Sequence, residues 1–70
     1  MKRRIAESSM IRSMGYDPKT KSLEIEFIHG VVWQYFEVPE KVWDEFTKAD
    51  SMGRFWHGYI KDEYEEMRVR

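Results

Sequence analysis

Trp33 and Tyr35 lie two residues apart in the run Val31-Val32-Trp33-Gln34-Tyr35-Phe36-Glu37-Val38. On a strand that spacing puts both rings on one face. Aromatic rings on an open sheet face are what RNA-recognition folds use to stack bases. The same pair also serves as a buried anchor in protein interfaces, or simply as packing against neighbouring rings. Arg54, His57 and Lys61 are spaced i, i+3 and i+7. On a helix they form one stripe that can meet consecutive phosphates, or an ordinary solvated face. Lys2-Arg3-Arg4 offers a third cationic feature: an electrostatic arm, or a solubilising terminus.

No catalytic set accompanies these residues. His29 falls in a turn and His57 on a helix surface, and neither has a nucleophile beside it in sequence. The carboxylates follow no metal-ligand spacing, and two histidines without cysteine argue against structural zinc. Gly53 and Gly58 do not build a phosphate loop. A chain this short is expected to lack the ~300–1,000 Å³ hollow of a typical ligand site. The expectation is a non-catalytic module with no metal and no cofactor.

The elements that must position these residues read clearly in the middle of the chain. Ser22-Leu23-Glu24-Ile25-Glu26-Phe27-Ile28 alternates apolar and acidic side chains, the period of a half-buried strand. His29-Gly30 reads as a two-residue turn, and residues 31–38 as a β-branched and aromatic strand. That short turn pairs Phe27 with Val32 and Ile25 with Gln34. Trp33 and Tyr35 then sit opposite Glu26 and Glu24, away from the helices. An earlier strand runs over residues 10–16. Asp17-Pro18-Lys19-Thr20-Lys21 is a turn whose Asp accepts local backbone hydrogen bonds.

Pro39 suits the first position of a helix. Val42, Trp43, Phe46 and Ala49 follow helical spacing on its buried face, with Trp43 in the core. Asp50-Ser51 caps a second helix, residues 52–61, with Met52, Phe55, Trp56, Tyr59 and Ile60 on one face. Gly53 and Gly58 weaken it by up to ~1 kcal/mol each. The fold class is therefore α+β: a three-stranded antiparallel meander with two C-terminal helices packed on one face. Residues 1–7 are expected as a mobile basic arm, 8–64 as the domain, and 65–70 as a polar C-terminal tail.

The segments Ser9-Met10-Ile11-Arg12-Ser13-Met14-Gly15-Tyr16-Asp17-Pro18, Leu23-Glu24-Ile25-Glu26-Phe27, Val32-Trp33-Gln34-Tyr35-Phe36-Glu37-Val38-Pro39 and Gly53-Arg54-Phe55, in that order, resemble the KTSC domain. That domain occurs at the C-terminus of some lysyl-tRNA synthetases and as a stand-alone protein. The resemblance runs from about Ser8 to Tyr64. Trp33-Gln34-Tyr35 matches the family's Tyr-x-Tyr pattern, with Trp33 keeping the aromatic face and losing a hydroxyl. RNA binding is what the resemblance implies.

Composition bounds the partners. Seventy residues make one domain, without cysteine for disulfides. Large aromatics must supply the core: three Trp, four Phe and four Tyr. The net charge of −1 hides a gradient. Residues 1–23 carry six Lys/Arg against two Asp/Glu, and residues 24–50 carry two against seven. A uniformly basic nucleic-acid binder is excluded, and a local basic patch is not. No apolar run approaches a membrane span, and the start lacks a signal peptide's apolar stretch. A cytoplasmic monomer or weak homodimer is expected. The expected partner is RNA, contacted through Trp33, Tyr35, Arg54, His57 and Lys61, or alternatively another protein or a second copy of the chain, anchored on Trp33 and Tyr35.

Overall fold

The structure, a computed structural model, describes the backbone of residues 3–5 and all of residues 9–70. Five antiparallel strands lie in sequence order across one sheet: β1 (Arg3–Ile5), β2 (Ile11–Asp17), β3 (Ser22–Phe27), β4 (Val32–Tyr35) and β5 (Glu66–Arg68). Helix α1 (Glu40–Lys48) follows β4. Helix α2 (Met52–Phe55) then runs directly into a π-helical turn, Trp56–Ile60.

The α+β class and the central meander β2–β3–β4 match the sequence reading; the strand count does not. Two more strands flank the meander. Arg3–Ile5, expected within a mobile arm, pairs with β2, Arg4 opposite Met14. The remainder of that arm, Lys2 included, lies outside the described residues. Glu66–Arg68, expected in a polar tail, pairs with β4, Trp33 opposite Arg68. All three β5 side chains are exposed, so no apolar alternation announces the strand. Backbone bonds carry it: the Phe36 amide donates to the Glu65 carbonyl at 2.9 Å, and the Val69 amide to that of Val32 at 2.7 Å.

The β3–β4 turn corrects the register. Phe27 N–H donates to Val31 C=O (2.8 Å) and Gly30 N–H to Phe27 C=O (2.9 Å). The loop is thus three residues, Ile28-His29-Gly30. Gly30 takes φ +83°, the left-handed conformation that closes a three-residue hairpin and favours glycine. The longer loop pairs Ile25 with Trp33 and Leu23 with Tyr35. One residue of slip sends every β4 side chain to the opposite face. Trp33 and Tyr35 therefore join Leu23 and Ile25 under the helices. Val32, fully buried, and Gln34 take the other face with Glu26 and Glu24.

A bulge between Ile11 and Ser13 keeps Ile11 opposite Phe27, on the core face, while Met14 still pairs with Ile25. The Asp17 turn forms as the sequence reading has it, with Asp17 Oδ1 accepting from the Lys19 amide at 2.9 Å. On the other face, Ser13 Oγ donates to Glu26 Oε1 at 2.9 Å, and Arg70 lies 3.7 Å from the same carboxylate.

The core joins Ile11, Met14, Leu23, Ile25, Tyr35, Val38, Phe46 and Ile60. Helix α1 contributes Phe46 as its buried residue. Trp43, expected in the core, is half-buried and stacks on Tyr16 at 5.5 Å between ring centroids.

Candidate nucleic-acid interface

Ser51 caps α2, its Oγ accepting from the Arg54 amide at 3.3 Å. The helix lasts one turn before the i→i+5 bond from Lys61 N–H to Trp56 C=O (2.7 Å) widens it into the π turn. That widening changes which side chains share a face. Lys61 swings over the Trp56 indole, its Nζ 5.6 Å from the ring centroid. Such a contact is worth about 0.5–1 kcal/mol at an exposed site. Tyr59, expected on the apolar face, is 65% exposed and rests on Phe55. The expected stripe of Arg54, His57 and Lys61 therefore splits. Arg54 and His57 stay together, and Lys61 is committed to Trp56.

Arg54 and His57 border a groove of about 580 Å³, together with Ser9, Met10, Asp50 and Gly53. A second groove of about 390 Å³ is lined by Phe27, His29, Val31, Trp33 and Trp56. Ser9 and Met10 line both, so the two are lobes of one surface depression. Volumes of this size fall within the ~300–1,000 Å³ of ligand sites. The expectation that so short a chain lacks such a hollow is overturned. Gly53 and Met10, both lining the polar lobe, approach each other closely. A Cβ on Gly53 would stand 3.3 Å from Met10 Cε.

Of the five residues singled out in the sequence, Trp33, Arg54 and His57 line the depression, whereas Lys61 and Tyr35 do not. Tyr35 is the one the core takes. It is 1% exposed, with its ring in the core. Its hydroxyl accepts a hydrogen bond from Trp56 Nε1 at 2.9 Å. Burial pushes its pKa up to about 12, while the Trp56 bond works in the opposite direction. A ring so enclosed cannot stack a base, so its part is to orient Trp56. Trp33 is half-buried and presents to the apolar lobe, not to the far sheet face.

Sequence reasoning missed Trp56, Met10 and Ser9 as walls of the depression. Ser9 and Met10 open the first family-like segment, and Gly53 opens the last, which was the available signal. Ser9, Asp50 and His57 share the polar lobe, the residue types of a hydrolytic relay. Among the described residues no hydrogen bond joins His57 to either of the others, so base and nucleophile are not connected.

The match to known proteins follows the same core. The KTSC domain family model covers residues 7–64. The chain belongs to the KTSC domain family. The crystal structure of a KTSC domain protein from Yersinia pestis superposes with a TM-score of 0.93 at 40% identity, covering 99% of this chain and 97% of that one. A protein of Stutzerimonas stutzeri is 41% identical over 64 residues, 91% of this chain and 90% of its own length. A lysine–tRNA ligase of Nostoc sp. is 38% identical over 58 residues, which are 83% of this chain but 10% of the ligase. The KTSC match ends at residue 64 and begins at residue 7, so β1 and β5 lie outside it. The superposed KTSC crystal structure covers 99% of this chain, so the likeness of fold extends beyond the meander to its flanking strands.

Proposed function

We propose that this KTSC domain is a non-catalytic RNA-binding module, and that it binds through the bilobed depression rather than through a flat sheet face. The observation that carries the reading is the shared wall at Ser9 and Met10. It joins an aromatic lobe, Trp33 and Trp56, to a lobe holding Arg54 and His57. Aromatic walls beside cations are the arrangement that holds bases and backbone of single strands together. RNA, rather than another polyanion, is favoured by the relatives whose names specify tRNA as what they act on. Asp50 at the polar lobe offsets part of the Arg54 charge, which makes for weak binding.

The test is an NMR titration with single-stranded RNA at two salt concentrations. The indole N–H signals of Trp33 and Trp56 should move, and that of Trp43, outside both lobes, should not. Affinity should fall as salt rises, and Arg54→Ala should reduce the slope of log K against log salt by about 0.7, one phosphate contact on a single strand. Binding that ignores salt, or that moves Trp43 alone, refutes the reading and favours the protein-anchor alternative.

A further inference from the structure

The two lobes meet at Ser9 and Met10, and this shared wall sets a length scale for what they hold. Lobes separated by several residues would engage a run of nucleotides. Lobes that share a wall engage atoms within one. The aromatic lobe, about 390 Å³, sits at the small end of ligand sites. It is lined from β3, the β3–β4 loop, β4 and the π turn, and a base splayed out of its stack is the form in which RNA presents a whole ring to aromatic side chains.

We infer that the depression holds a single unpaired nucleotide of RNA, its base between Trp33 and Trp56 and its phosphate at Arg54 and His57, with Met10 as the partition between them. This rests on the RNA reading above and narrows it. The chemistry fits lobe by lobe. The aromatic lobe offers Phe27, Val31, Trp33 and Trp56, suited to the faces of a base. The polar lobe offers the Arg54 guanidinium, with fork geometry for phosphate oxygens, and the His57 ring as a further donor. Trp56 is held ready for this: Tyr35 anchors its N–H, Phe27 meets it edge-on at 5.0 Å, and Lys61 covers it. Pre-positioning of this kind lowers the cost of ordering on binding.

Gly53 supplies a fold-preserving handle. In Gly53→Ala the new methyl meets the far end of a flexible Met10 side chain, which must give by a few tenths of an ångström. The partition moves while the helix is retained.

The experiment titrates AMP, adenosine and hexa-adenylate against the intact chain, reading the three indole signals. AMP should shift Trp33 and Trp56 and bind at least about tenfold more tightly than adenosine. Arg54→Ala should bring AMP to the adenosine level and leave adenosine unchanged. Gly53→Ala should change the AMP affinity with an unchanged amide spectrum away from the groove. If hexa-adenylate moves Trp33 and Trp56 but AMP does not, the one-nucleotide site is overturned and the RNA reading stands. If AMP binds as tightly as hexa-adenylate without salt dependence of the latter, the site is a free-nucleotide site and the RNA reading falls. If neither binds, both fall.

Discussion

Replacing Tyr35 by Phe removes one oxygen from the centre of the protein and leaves Trp56 Nε1–H without its acceptor at 2.9 Å. A buried donor stripped of its partner costs about 1–3 kcal/mol. Trp56 is only partly buried, so the lower part of that range, about 1–2 kcal/mol, applies. For a domain of this length that lowers the melting point by about 5–15 °C. The pH dependence gives a second, sharper reading. Tyr35 titrates near 12 when folded against 10.0 as a free side chain, burial being the main cause. The folded state thus keeps a proton that the unfolded state releases. The contribution is complete below pH 10 and disappears as pH rises toward 12. At about 1.4 kcal/mol per unit, discounted for solvent screening, that is on the order of 2 kcal/mol. Urea unfolding of wild type and Tyr35→Phe across this range measures it. The wild-type advantage should be constant at neutral pH and shrink through the alkaline limb. Every other ionisable side chain is the same in both proteins, so the difference between the two curves isolates Tyr35. Parallel curves, or equal stability at neutral pH, would refute the placement of the Tyr35 hydroxyl.

Phe46→Ala should cost about 3–5 kcal/mol, since Phe46 is the side chain α1 buries fully. Trp43→Ala should cost less, about 1–3 kcal/mol, because Trp43 is half-buried on Tyr16; thermal melts that reverse this order would contradict the packing. Trp33→Ala should stay folded by circular dichroism yet lose about 1–3 kcal/mol of RNA binding, the worth of one stacked base. A folded variant with unchanged, salt-sensitive affinity would remove Trp33 from the interface. Gly53→Ala should leave stability equal or raised by up to ~1 kcal/mol, alanine being the better helix former; loss of more than that amount in urea melts would show that Met10 cannot give way.

Alternation of Leu23, Ile25 and Phe27 with Glu24 and Glu26 determined, from the chain alone, that β3 has one buried face. Helical spacing placed α1, and its apolar side was legible, although the sequence did not rank Phe46 above Trp43. Four segments in order pointed to the family, and the model matched over residues 7–64 bears that out. The central meander was legible too, though not the strand count: β1 and β5 escaped, because strands of three residues held by backbone bonds leave no apolar pattern. What only the tertiary structure decided was which way β4 faces. A two-residue and a three-residue loop are equally compatible with His29-Gly30, yet they send Trp33 and Tyr35 to opposite sides. The π turn at Trp56 belongs with it. Its i→i+5 bond separates Lys61 from Arg54 and His57, and nothing in the spacing of those three residues announces it. Periodicity reports what a segment would do by itself. Loop register and helix widening are chosen by what the assembled core accepts, here Tyr35 and Ile60 both fully enclosed in one cluster.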